Sequence, residues 1–260
     1  MDSPSPVEWR RAIRAGRHAG ITSGLAPGYA QANLAVLPAA LAGDFVRFCE
    51  LNPFACPLLG VSAPGDPRIP ALGADLDVRT DLPAYRIYEH ASLAKTVGDI
   101  SAWWQADSVA VAIGCWFGVE EALQAAGIRL RHLELGIQGP LFRSSLAARP
   151  AGPFGGTQVV SMRPFARGDV DAVAALTARY PKSHGAPLHR GDPAQLGIRN
   201  LGAPDFGEPI ALEEGEIPLY WGCGLTALTA LEGARLPLFI THAPGAMLIT
   251  DLRNESLATA

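Results

Sequence analysis

The residues with the most evident capacity for chemistry crowd into one stretch, residues 180–207, reading YPKSHGAPLHRGDPAQLGIRNLGAPDFG. His184, His189 and Asp192 stand close together there. Imidazole titrates near neutrality, so a histidine beside a carboxylate can relay protons. The same groups can contact a substrate, ligate a metal without any known metal spacing, or simply hydrogen-bond the loop. His242, in THAPG, adds a further imidazole, with Thr241 before it. Cys115 precedes the helical pattern VEEALQAAG, where the dipole at a helix start favours thiolate; a buried structural thiol is the alternative. Glu120 and Glu121, in the first turns of that helix, read as surface acids that suit the dipole. Arg10 and Arg14 lie on one face of a short helix over residues 7–17, either holding a substrate carboxylate or facing solvent.

These groups need elements to position them. In the long loop, Pro181, Pro187, Pro193 and Pro204 alternate with Gly185, Gly191, Gly197 and Gly202, which predicts an irregular, rigid loop system walling a site. Residues 22–38 read as a Gly/Pro turn leading into a helix, with Tyr29, Gln31 and Asn33 at its start. A helix over residues 44–51 is stopped by Asn52-Pro53. Buried-strand runs follow at 108–114, 157–162, 217–221 and 238–240, most of them leading into a helical pattern. This alternation predicts an α/β fold: a mixed, largely parallel sheet flanked by helices, in two lobes with the site between them. Ligands of such sheets sit beyond the carboxyl ends of the strands, so Cys115, Arg163, Cys223 and Thr241-His242 are expected to line one crevice with the 184–205 loop. Residues 1–260 read as one unit whose best internal boundary is RPAGPFGG, 149–156. AIGCW and YWGCG, each before a helix, hint at an internal duplication.

Composition narrows the function classes. Hydrophobic residues make up 48% and charged ones 18%, which excludes a disordered chain. The net charge of −4 comes with no basic stripe, so nucleic acid and anionic membrane are not expected partners, and homo-oligomerisation stays open. No apolar run is long enough to span a bilayer, and the cytoplasm is the expected location. Four cysteines without paired spacing read as reduced thiols. Phosphate-loop, dinucleotide, zincin and serine-hydrolase motifs are missing.

Seven strings, TSGLAPGYAQANL, IGCWFGVEEAL, VVSMRPF, HGAPLHRGDPAQLGI, PDFGEP, YWGCGLT and THAPGAMLITD, occur in this order. Together they resemble the hydro-lyase or D-glutamate cyclase family of bacterial proteins, over nearly the whole chain. The resemblance implies a two-lobed α/β enzyme, without organic cofactor or metal, that removes water from D-glutamate to give 5-oxo-D-proline. The chain departs from the family pattern at Trp116 and Gly118, where hydroxyl residues are usual, and at Phe142, where a tyrosine is usual. If these line the pocket, it is more apolar, and D-glutamate is expected to be a poorer substrate than an analogue with an added apolar group.

Cyclisation needs an unprotonated amine, a cation on the spectator carboxylate and donors on the attacked carboxyl. His184 or His189, oriented by Asp192, are candidates for the base. Arg163, with Arg14 as the alternative, is the candidate for the carboxylate. Thr241 and backbone N–H groups near Cys115 or Gly224 are candidate donors, and Tyr29, Asn33, Trp116 and Phe142 candidate wall residues. A non-catalytic binder of small carboxylates on the same fold is the competing reading, and an amidase using Cys115 a third.

Overall fold

The computed structural model describes residues 3–259, which form two sheets that exchange helices. In chain order the strands are β1 (Tyr29–Pro38), β2 (Leu58–Val61), β3 (Tyr85–Glu89), β4 (Ser92–Val97), β5 (Ser108–Gly114) and β6 (Leu141–Ala147). They continue as β7 (Thr157–Ala166), β8 (His189–Arg190), β9 (Glu216–Gly222), β10 (Leu238–His242) and β11 (Leu248–Arg253). The helices are α1 (Pro6–Arg14), α2 (Ala39–Leu51), α3 (Phe117–Ala125), α4 (Arg131–Leu135), α5 (Val170–Ala178) and α6 (Leu225–Gly233). One sheet runs β2-β5-β1-β10-β3-β4, with β11 also paired to β1; the other runs β6-β7-β9-β8.

Every strand pairing among the described residues is antiparallel, so the largely parallel sheet expected from the sequence does not form. A parallel pair needs a helix that returns the chain to the sheet it left. Here the helices cross instead. β5 belongs to the first sheet, yet α3 after it packs Trp116, Val119 and Leu123 with Phe165, Leu219 and Trp221 of the second. β9 belongs to the second sheet, yet α6 after it packs Ala227, Ala230 and Leu231 with Ala35, Val111 and Phe239 of the first. A strand run followed by a helical pattern is the same string in either case, which is why sequence alone misassigned the sheet.

Residues 29–38 are a central strand rather than the expected helix. Their Ala and Leu content suits a helix, but Leu34 and Val36 enter one core while Ala35 and Leu37 enter the other. A segment apolar on both faces at period two gains more between two strands than as a helix. Residues 149–156 are the turn of the β6–β7 hairpin, from which Phe154 packs edge-on to Phe45 at 5.1 Å. Each such ring, fully buried, contributes about 1.5–3 kcal/mol. Residues 180–207 hold only short 3-10 turns and the two-residue β8, in keeping with the irregular loop expected. No helix among the described residues is long and apolar enough to cross a membrane.

Candidate functional site

The two crossings are built alike. β5 ends in Gly114-Cys115 before α3, and β9 ends in Gly222-Cys223 before α6. Each turn is wedged into the opposite half: a Cβ on Gly114 would collide with the Lys182 carbonyl, and one on Gly222 with the backbone of Phe54 and Ala55. Asn33 of β1 donates from Nδ2 to the Gly114 carbonyl at 3.0 Å, tying the first turn to the central strand. Each thiol faces the first N–H of its helix, Phe117 for Cys115 and Leu225 for Cys223. Burial outweighs this, pushing the Cys115 thiol up to about 12 and Cys223 upward, so both stay protonated at neutral pH. The expected thiolate is not favoured here.

Arg163 lies where the crossings meet. β7 runs on to Ala166, so Arg163 sits within the strand and not at its end, and alternation points it to the α3 face with Ser161 and Phe165. It is 3% exposed. Nη1 donates to the Met162 carbonyl at 2.8 Å and Nη2 to that of Gln138 at 2.9 Å, while Nε has no partner among the described residues. Its guanidinium lies over the Trp116 ring at 5.3 Å. Burial pulls its pKa down, opposed by the nearby Glu120, Cys223 and Cys115. No carboxylate touches it among the described residues.

The complementary charge is Glu120, on α3 and 8% exposed. It is buried, not the surface acid expected. Its Oε1 accepts from His132 Nε2 at 2.7 Å. His132, on α4, is 1% exposed, and its Nδ1 has no partner among the described residues. Burial, then Arg163, lowers the His132 pKa against the pull of Glu120, so the ring is neutral and donates from Nε2. Both residues line a cavity of about 400 Å³ with Tyr29, Gln31 and Gln138. A larger groove of about 690 Å³ along residues 65–79 is lined by ion pairs such as Asp66–Arg68 and Asp77–Arg79 that satisfy each other.

The residues singled out from the sequence divide among several places. Cys115, Cys223, Arg163 and Trp116 converge at the crossing, with Asn33 beside it and Tyr29 on the cavity wall. Phe142 and His189 lie on the other face of the second sheet: Phe142 clusters with Val160, Met162 and Tyr220, and the His189 ring lies 5.6 Å from that of Tyr220. His189 Nε2 contacts the Asp192 carbonyl at 2.8 Å, and the Asp192 carboxylate caps the Ala194 N–H at 3.0 Å. His184 Nδ1 contacts the Phe54 carbonyl at 2.8 Å, and burial lowers its pKa to about 4. His242 Nδ1 accepts from the Leu34 N–H at 3.2 Å, its pKa also lowered to about 4 by burial. Thr241 donates to the His242 carbonyl at 3.0 Å. Arg14 is held by Asp81 and Asp75, and Gly118 sits under the Ser183 hydroxyl. Glu120, His132 and Gln138 were missed as site residues. Glu120 alone carried a signal, since it lies within the family string IGCWFGVEEAL.

The sequence profile of D-glutamate cyclase matches residues 109–251, which span both crossings. A protein of Paraburkholderia phymatum, provisionally named a hydro-lyase, is 52% identical over 254 residues, covering 98% of this chain and 99% of that one. One of Methylobacterium radiotolerans with a similar name is 53% identical over 251 residues, covering 96% of this chain and 93% of its own. The chain belongs to the D-glutamate cyclase family.

Proposed function

We propose that the protein is a hydro-lyase that closes an amino acid onto its own side-chain carboxylate, with D-glutamate or a modified analogue giving 5-oxo-D-proline or its counterpart and water. Family membership and the relatives' names support the reaction class. The observation that carries the reading is Arg163, a buried guanidinium that touches carbonyls but no carboxylate among the described residues. A charge so desolvated is costly unless paired, and an arriving carboxylate supplies the missing partner through charge-assisted bonds.

In the reaction the amine nitrogen bonds to the side-chain carboxyl carbon and one carbon–oxygen bond breaks. The ammonium gives up two protons and the departing oxygen gains two, so no other reactant is needed. Holding both ends of the substrate supplies the proximity that such ring closure requires. The neutral thiols of Cys115 and Cys223, at the starts of α3 and α6, are the candidate donors for the carboxyl oxygens. His184, His189 and His242 each commit one ring nitrogen to a backbone group.

The test is a panel of D- and L-amino acids and lactams incubated with purified protein and read by mass. Loss of one water from an amino dicarboxylate is expected. Tight binding of an amino acid with no change in mass would replace the enzyme with a carboxylate-binding protein.

A further inference from the structure

We infer that the cavity between α3, α4 and β1 is an ammonium subsite, in which Glu120 Oε2 accepts the substrate's amine proton and His132 positions Glu120. The proton transfer rests on the cyclisation reading above; the ammonium subsite stands on the cavity itself. The buried polar atoms of its lining residues that lack a partner among the described residues, Gln31 Oε1, His132 Nδ1 and Asn254 Oδ1, are all acceptors. Glu120 spends Oε1 on His132, and Oε2 takes no hydrogen bond among the described residues. Gln31 is 6% exposed and commits its amide nitrogen to the carbonyls of Thr22 at 2.7 Å and Leu25 at 3.1 Å. That fixes the amide orientation and leaves Gln31 Oε1 buried without a partner among the described residues. The cavity therefore offers a carboxylate oxygen and an amide oxygen, both acceptors. An ammonium, a donor in three directions with no acceptor, is the matching group.

The neighbouring acid is spoken for: Glu121 accepts from the Gly28 N–H at 2.5 Å and from Asn254 Nδ2 at 3.0 Å, holding the cavity's outer loop. Only Glu120 is free to act. Arg163 is near enough for Glu120 to act on it through its charge, with no ion pair between them among the described residues. A zwitterion places its carboxylate toward one and its ammonium toward the other. Glu120 Oε2 takes one proton from the ammonium, the nitrogen lone pair forms the carbon–nitrogen bond, and Glu120 returns that proton to the departing oxygen. The second ammonium proton also ends on the water. The titratable and charged groups near Glu120 are His132 from α4, Arg163 from β7, Cys115 from the β5–α3 turn and Tyr29 from β1.

Two measurements test this. Calorimetry compares D-glutamate with glutarate, the same dicarboxylate without the amine, on the wild-type protein and on Glu120→Gln. The wild type is expected to prefer D-glutamate by tenfold or more, and Glu120→Gln to lose that preference while keeping its glutarate affinity. Equal wild-type affinity for the two, or no binding of either, overturns the subsite whether or not a variant folds. In turnover, Glu120→Gln is expected to lose about 10²–10⁴-fold in kcat, the range of a general base, together with the acid limb of the pH profile. His132→Leu, stripping a donor from the carboxylate, is expected to move that limb to higher pH, which a purely structural histidine would not do. Intact amine preference without lactam would sink the cyclisation and leave the subsite. Lactam formation unchanged by Glu120→Gln would do the reverse.

Discussion

Trp116 covers the Arg163 guanidinium and lies 5.7 Å from the His132 ring and 5.4 Å from that of Trp221, with its own Nε1 unpartnered among the described residues. In this setting the indole is packing, so Trp116→Ser is expected to open a cavity and cost about 3–5 kcal/mol in urea unfolding, the range for removing a buried large ring. A loss under 1 kcal/mol would show that the ring faces open space. Phe142 lies on the far face of its sheet, so its lost hydroxyl is a matter of packing against Tyr220 and not of contact with Arg163. His184 and His242, both buried, are expected to make the fold sensitive to acid. Both have pKa values near 4, below the ordinary 6.5, so the unfolded chain binds protons that the fold refuses between those values. Their contribution is complete above about pH 6.5 and is lost as pH falls through that window. His184→Gln and His242→Gln should each flatten the decline in urea midpoint between pH 7 and pH 5; a slope as steep as the wild type's would contradict this. The histidines were legible as unusual residues, but their engagement with the backbone was not, because Phe54 and Leu34 are remote in sequence. Arg163 was legible in type and missed in position, since β7 runs past it.

Among the elements, β5, α3, β7, β9 and α6 were readable as runs and periodicities, and β5 was bounded at Ser108–Gly114 from sequence alone. What could not be read was their pairing, because the destination of a strand after a helix depends on which sheet buries the helix's apolar face. The glycine turns at the crossings record that choice. Gly114 has no room for a Cβ against the Lys182 backbone, so Gly114→Ala is expected to destabilise by about 1–3 kcal/mol, the cost of an overpacked site that cannot relax. Gly43, exposed in α2 with nothing near its Cβ position, is the control: Gly43→Ala should gain about 0.5–1 kcal/mol from helix propensity. Equal effects at the two positions, measured by denaturant titration, would mean that the first crossing is not tightly packed.

At the scale of the whole molecule, each half supplies a helix that completes the other's core, and the candidate site lies where the chain passes between them. The same exchange that hid the sheet topology from the sequence explains why Cys115, Cys223 and Arg163 nevertheless come together, by crossing and not by the strand-end rule of parallel sheets. It brings a buried cation and a buried anion to one place without letting them touch, and the account turns on the cation holding a substrate carboxylate. Arg163→Met keeps an unbranched apolar side chain in the buried position and removes the charge. The direct measurement is the rate of water loss from the accepted amino acid by wild type and Arg163→Met, each checked for a cooperative thermal transition. Turnover by the wild type is expected, with a loss of about 2–5 kcal/mol of transition-state stabilisation in the folded variant, the cost of truncating a buried charge partner. Turnover by Arg163→Met within a few-fold of the wild type would contradict it.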